Sequence, residues 1–401
     1  MWFHLAMVPP ALPGDSMSPQ PSTSSLAIWG FVMALLGFCL PLGLPAVVCG
    51  MLGLARIKKS NGSLVGKGFA ISGIIIGCLS SIPWIVAVSS THKKYCEIGA
   101  RMAAEARAAE TPFDVVDLPE NPLPEFPALP DFSVLPGSGV RVCQVSVSES
   151  GPGGSMSFRV YLPAKEGMRG IPCVLVAPAG TNLMSGADLD PLTDRSYHKE
   201  ALPYAEAGMA AILYSIDGPG ERRATGEKVI DSYERFRDSG AGVINGRNAF
   251  YFACRRLPMI DPDAIFSAGH SSAGTLALLL AAHEPQLAGS LAYCGAPDVE
   301  KHLQEVIDDR GAFLFEGLRG FSRRSSPRTH LAHMNRPLFL FFSRDDSMRP
   351  IADGEKFIRE AREAGVSVDV KIVEEGDHYQ SMIREGIPAG IDWIRNQVAS
   401  P

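Results

Sequence analysis

At 401 residues, 46% hydrophobic and 20% charged, the chain exceeds what one core usually serves, since single cores stop growing near ~250–300 residues, and two unequal parts are expected. A formal charge of -6 argues against a nucleic-acid surface, because phosphate binding needs clustered Lys and Arg. The eight cysteines form no C-x-x-C pair and no Cys/His set at ligand spacing, which leaves a metal site without support and makes them small buried apolar residues.

Residues 1–24 lack the charged start and small-residue cleavage site of a signal peptide and read as a disordered leader rich in Pro and Ser. Leu26 to Ala55 carries no charge, and a continuous helix of that length would exceed a ~30 Å hydrocarbon core. Pro41, Gly43 and Pro45 can supply a kink or a short re-entrant turn. A second uncharged run, Gly68 to Ser90, is long enough to cross once, and Arg56, Lys58, Lys59 and Lys67 lie between the two. The positive-inside rule puts this basic connection in the cytoplasm and the Lys- and Arg-free first 25 residues outside, although Lys93, Lys94, Arg101 and Arg107 pull the other way. A two-helix transmembrane domain over 25–91 is expected, with the bilayer as partner of residues 26–90 and the part that follows extracytoplasmic. Gly73 and Gly77 form a small-xxx-small pair suited to packing inside that hairpin. Ser25 to Val86 resembles a bacterial two-helix membrane family of unknown function, through Gly53-Leu54-Ala55-Arg56-Ile57-Lys58-Lys59-Ser60 and Gly66-Lys67-Gly68-Phe69-Ala70-Ile71-Ser72-Gly73.

Residues 92–139 read as a helix from Tyr95 to Glu110 followed by a spacer in which Pro112, Pro119, Pro122, Pro124, Pro127, Pro130 and Pro136 disfavour both helix and central strand. From Val140 onward short β-branched or aromatic runs alternate with helical ones, the pattern of an α/β domain with a mostly parallel sheet and helices on both faces. Eight strands are predicted: Val140–Val147, Ser157–Leu162, Pro172–Ala177, Ala210–Ser215, Ala264–Ala268, Ala288–Tyr293, Pro337–Phe342 and Ser367–Val373. Helices are predicted over Tyr197–Glu206, Glu234–Leu257, Ser272–Ala282, Ile351–Ala364 and Tyr379–Val398, with 298–336 left as a cap or insertion in a domain spanning 140–401.

The run Ala268-Gly269-His270-Ser271-Ser272-Ala273-Gly274 passes from an apolar strand straight into an Ala/Leu-rich helix. A serine on such a strained turn needs small residues two before and two after it, and Gly269 and Ala273 flank Ser271 in this way. Ser272 as nucleophile is the weaker frame, because His270 is bulky for the turn. Phe341-Phe342-Ser343-Arg344-Asp345-Asp346 places two carboxylates past an apolar strand, and Val373-Glu374-Glu375-Gly376-Asp377-His378 ends the next strand on an imidazole. The order Ser, Asp, His supplies a nucleophile, an orienting acid and a base able to take and return a proton. Backbone N–H groups of Ser272 and of Gly180 or Thr181, in the loop after the third strand, are the expected oxyanion donors. His270 is expected to pack rather than catalyse, and Arg222 and Arg223 to be a solvated loop.

Residues 140 to 399 resemble the α/β-hydrolase superfamily, in particular its prolyl-oligopeptidase-like and dienelactone-hydrolase-like branch. The resemblance rests on the triad motifs, on Ile260-Asp261-Pro262-Asp263 and on Asp217-Gly218-Pro219-Gly220. It implies the α/β-hydrolase fold and favours Asp346 over Asp345, because Asp346 stands four residues before Pro350 as the family's acid does. Serine in the elbow, where dienelactone hydrolases carry cysteine, points to a small-molecule ester or, second, a peptide as substrate. The implied activity is that of a membrane-anchored serine hydrolase forming an acyl-enzyme without metal or cofactor, and the alternative is an inactive hydrolase-fold binding module.

Overall fold

The computed structural model describes residues 21–110, 122–189, 192, 198–220, 225–311 and 314–399. The leader's first 20 residues, much of the Pro-rich spacer and Arg222 and Arg223 lie outside the described residues. The chain divides into two compact units, Met1–Ala100 and Arg101–Pro401.

In the first unit the uncharged run that begins at Leu26 forms two helices, α1 (Ser25–Leu36) and α2 (Gly43–Lys59). Gly37, Pro41 and Gly43 lie between or at their ends, and Pro45 sits in the first turn of α2, where its missing N–H costs no helical bond. The two helices pack antiparallel: a Cβ at Gly30 would meet the main chain of Gly50, and one at Gly53 that of Ala27. Strand β1 (Ser22–Thr23) pairs with β2 (Leu64–Val65). Ser22 therefore lies at the same end of the unit as the basic connection. Helix α3 (Lys67–Glu110) follows, and over Lys67–Ala100 it is long and apolar enough to cross a membrane. Gly73 lies against the main chain of Gly30 and Phe31, and Gly77 against that of Gly43, so this small-residue pair packs within the unit.

The second unit is built on a nine-stranded sheet in the order β11-β10-β9-β8-β6-β7-β5-β4-β3. The strands are β3 (Ser133–Val134), β4 (Arg141–Ser148), β5 (Ser155–Leu162), β6 (Ile171–Val176), β7 (Ala210–Tyr214), β8 (Ile260–His270), β9 (Gly289–Tyr293), β10 (Leu338–Ser343) and β11 (Val368–Val373). All eight expected strands are present, and the ninth is the two-residue edge β3, too short to be read from a pattern. From β11 to β7 neighbouring strands are parallel, and β5, β4 and β3 join antiparallel. Along β6, Cys173 and Leu175 enter one apolar cluster while Val174 and Val176 enter another. This alternation fits a sheet covered on both faces.

Helix α4 (His198–Glu206) and the last helix, Ile387–Ala399, contribute Tyr204, Ile391 and Ile394 to one face. Helix α6 (Val243–Arg256) and helix α7 (Ser272–His283) contribute Phe250, Phe252, Leu276 and Leu279 to the other. The single helix expected over Glu234–Leu257 is two, α5 (Glu227–Asp238) and α6. Gly240, Ala241 and Gly242 all take positive φ between them, which ends one helix and re-aims the next. The helix expected from Tyr379 begins as a π-turn, Met382–Gly386, ahead of Ile387. Pro388, which has no N–H for the carbonyl one turn back, follows it. The described residues of 298–336 include short helical turns, among them Val299–His302, Leu318–Arg324 and Pro327–His333.

Candidate active site

β8 ends at His270 and α7 begins at Ser272, so Ser271 alone makes the turn, with φ 55° and ψ -118°. A non-glycine residue held there is strained by about 1–3 kcal/mol. The N–H of Ser271 donates to the Tyr293 carbonyl at 2.8 Å, and its carbonyl accepts from Thr275 N at 3.1 Å. A Cβ at Gly269 would overlap the carbonyl group of Ala273, so strand and helix cross at the two flanking small residues that the motif calls for. The strained φ belongs to Ser271 and not to Ser272, whose hydroxyl instead accepts the Thr181 N–H at 3.1 Å.

Past β10, Oδ2 of Asp346 lies 2.6 Å from Nδ1 of His378, which follows β11. The other oxygen, Oδ1, accepts N–H groups from Met348 at 2.8 Å and Arg349 at 3.0 Å. Burial pushes the Asp346 carboxyl up, but the His378 hydrogen bond and charge, with the two N–H groups, outweigh it and hold the carboxyl below its ordinary range. Asp345 is exposed and bonds Ser343 Oγ and Gly376 N. Of the two carboxylates, Asp346 is therefore the one aimed at the imidazole. With Nδ1 donating to the carboxylate, Nε2 of His378 is the basic nitrogen. It is buried and, among the described residues, has no hydrogen-bond partner. The structure thus joins Asp346 to His378 but shows no hydrogen bond from His378 to Ser271.

His270 and Cys294 enter the site in ways the sequence did not signal. The His270 ring lies 4.5 Å from that of His378, centroid to centroid, and its Nε2 is 2.7 Å from the His378 carbonyl. A carbonyl only accepts, so Nε2 carries the proton. Burial first, then the neighbouring His378, lower the His270 pKa to about 4. His270 is thus a neutral donor that holds the loop carrying His378 over the end of β8. Cys294, one residue past β9, brings Sγ within 4.8 Å of the ligating atoms of Asp346 and His378. Burial, then the charge and hydrogen bond of Asp346, raise its thiol to about 12. The 2.6 Å bond between Asp346 and His378 leaves no room for a cation between them. The thiol lies beside the carboxylate.

The Ser272 N–H opens α7, where the first N–H groups have no carbonyl one turn back. The loop after β6 holds Gly180, at φ 88°, and Thr181, whose N–H is taken by the Ser272 hydroxyl. Beside this loop lies a cleft of about 1280 Å³. Gly180, Thr181, Met184 and Tyr233 line it, together with Val306 and Phe315 from the 298–336 region.

A domain of unknown function (DUF4190) matches residues 26–87. No curated protein matches the chain. Among solved structures, the acetyl xylan esterase from Paenibacillus sp. R4 is similar over 73% of this chain and 92% of its own, at 15% identity and a TM-score of 0.50. An esterase from Thermogutta terrifontis is similar over 62% of this chain and 92% of its own, at 18% identity and a TM-score of 0.45. The acylaminoacyl peptidase from Pyrococcus horikoshii is similar over 67% of this chain and 41% of its own, at 16% identity and a TM-score of 0.47. By its strand order and its likeness to the acetyl xylan esterase, the C-terminal unit has the α/β-hydrolase fold.

Proposed function

We propose that the chain is a serine hydrolase that forms an acyl-enzyme on Ser271, with His378 as general base, Asp346 as the acid that orients it, and the bilayer as its anchor. The observation that carries this reading is the strained φ of Ser271 at the end of β8, taken together with an imidazole whose Nδ1 is committed to a buried carboxylate. The hydroxyl loses its proton to Nε2 as it attacks a carbonyl carbon, and the imidazolium is stabilised by Asp346. The developing oxyanion is received by the N–H of Ser272 and one N–H of the Gly180–Thr181 loop. His378 then returns the proton to the leaving group, and water repeats the sequence to free the acid. Esters rank ahead of amides, because an amine must be protonated before it departs and so demands closer control by His378.

The domain division that accompanies this reading is a leader over 1–24, a membrane domain over 25–91, a linker over 92–139 and the hydrolase domain over 140–401, placed outside the cytoplasm. The test is covalent labelling of the full chain by a fluorophosphonate probe. Labelling that disappears in Ser271→Ala and persists in Ser272→Ala supports the reading. The missing bond between His378 and Ser271 favours a second reading, a binding module without turnover, and folded wild type that does not label would establish it.

A further inference from the structure

The two turns of the first unit have opposite chemistry. At one end, Ser60-Asn61-Gly62-Ser63 follows exposed Arg56, Lys58 and Lys59 and precedes exposed Lys67, and positive φ at Asn61 and Gly62 makes a polar turn. At the other end the link between α1 and α2 is Gly37-Phe38-Cys39-Leu40-Pro41-Leu42, with Phe38 and Leu40 exposed and no charge. Its main chain bonds to itself: Gly37 N donates to Ala34 O, Cys39 N and Leu40 N to Leu36 O, and Leu42 N to Leu40 O. Pro41 has no N–H to satisfy. The Trp84 indole N–H of α3 donates to the Gly37 carbonyl at 3.0 Å. An apolar turn in which the N–H groups of Gly37, Cys39, Leu40 and Leu42 are met from within suits hydrocarbon better than a charged, solvated loop would.

The depth of this turn follows from α3. A Cβ at Gly37 or Gly43 would meet the hydroxyls of Ser80 and Ser81, so the turn is level with those residues. From Lys67 to Ser81 α3 rises about 21 Å, short of a ~30 Å hydrocarbon core, while Gly68 to Ser90 rises about 33 Å and spans it. Beyond the turn, Ile82, Ile85, Val86 and Val88 of α3 are all exposed, a lipid-facing stretch that continues alone. Both ends of the hairpin meet again at the basic face, where Ser22 N donates to Ser63 O and Ser24 N to Val65 O.

We infer that α1 and α2 form a re-entrant hairpin that enters and leaves the bilayer on one face, and that α3 alone crosses. This rests on the membrane-anchor reading above. Residue 22 then lies on the same side as Arg56, Lys58, Lys59 and Lys67, whose charges meet anionic headgroups there, and Cys96 lies on the other.

The experiment introduces Ser22→Cys or Ser63→Cys into the full chain. Intact cells and inverted membrane vesicles are treated with a membrane-impermeant maleimide, and labelled peptides are identified by mass spectrometry. Native Cys39 at the turn and Cys96 past the crossing are internal references. The expected result is that both introduced sites label from one side only, Cys96 labels from the other, and Cys39 labels only after detergent. Labelling of the Ser22→Cys site from the Cys96 side, or of Cys39 there without detergent, overturns the hairpin but leaves the anchor standing. Release of the chain from membranes by alkaline carbonate overturns the anchor and the hairpin together.

Discussion

Asp346→Asn separates an orienting carboxylate from a merely buried one, and the surrounding bonds dictate how asparagine must sit. Oδ1 accepts N–H groups from Met348 at 2.8 Å and Arg349 at 3.0 Å, so the asparagine oxygen takes that position. Its NH2 then replaces Oδ2, 2.6 Å from Nδ1 of His378. Two donors cannot face each other, so Nδ1 gives up its proton and becomes the acceptor. Nε2 then carries the hydrogen and cannot take one from Ser271. The geometry survives while the base is lost, for which the expected cost is about 10⁴-fold in kcat, or about 5.5 kcal/mol of transition-state stabilisation. Asp345→Asn serves as the paired control, since Asp345 is exposed and touches Ser343 and Gly376 rather than the imidazole. The assays are the rate of fluorophosphonate labelling and turnover of a short acyl ester, with near-ultraviolet circular dichroism to show that the variants are folded. Asp346→Asn within about tenfold of wild type, or Asp345→Asn as damaging as Asp346→Asn, would refute a tautomer argument that predicts a loss of about 10⁴-fold.

Three further substitutions probe the neighbouring structure. His270→Phe keeps a ring against His378 but removes the donor to its carbonyl; labelling should slow by about tenfold, the worth of one hydrogen bond, and an unchanged rate argues against the clamp. Gly269→Ala forces a methyl into the Ala273 carbonyl group, and urea unfolding should show a loss of about 2–3 kcal/mol, so a midpoint equal to wild type would mean the elbow is looser than described. Glu200, 5% exposed, is raised by burial from its ordinary 4.5 to about 8. Its folded pKa lies above its unfolded one, so its contribution is fully present below 4.5 and is lost as pH rises through 8. The cost at high pH is at most roughly 5 kcal/mol. Glu200→Gln should remove that pH dependence from the urea midpoint, and parallel pH profiles for the two proteins would exclude it.

How much was legible depended on whether a residue's neighbours in sequence are also its neighbours in space. The strands were readable because a sheet covered on both faces demands unbroken apolar runs such as Leu338–Ser343. The crossing at Gly269 and Ala273 was readable because both sides of the contact lie within five residues. The choice between Asp345 and Asp346 needed the family resemblance, since adjacent carboxylates look alike until one is buried. His270 was expected to pack, but its partner and that of Cys294 left no signal, because they come from loops about 108 and 52 residues away, a separation no pattern rule reaches. The break between α5 and α6 was overrun because helical periodicity resumes after Ser239, although Gly240 and Gly242 stood in plain view. For the first uncharged run, length alone fits a kinked crossing or a hairpin, and the pairing of Ser22 with Leu64 lies beyond the reach of any length rule.

Ser271 and Cys294 owe their strain to one device. His270 and Tyr293 are register partners on β8 and β9, so the residue after each stands at the same level, with φ 55° and 52°. Each keeps its N–H in the sheet ladder, Ser271 to Tyr293 O and Cys294 to Phe341 O, both at 2.8 Å. A strand that simply continued would point these side chains alternately to the two covered faces. Positive φ, with the N–H still tied down, swings the side chain off the sheet's edge instead. Ser271 thereby departs from the strand's alternation, and Cys294 brings its thiol near Asp346. The turn is possible only because the chain beyond is bare: a Cβ on Gly274 would meet Gly295 Cα at 3.1 Å, and one on Gly295 would meet Gly274 C at 2.8 Å. The two ladder bonds and this close backbone packing together hold in place a conformation that would relax if it depended on either residue alone.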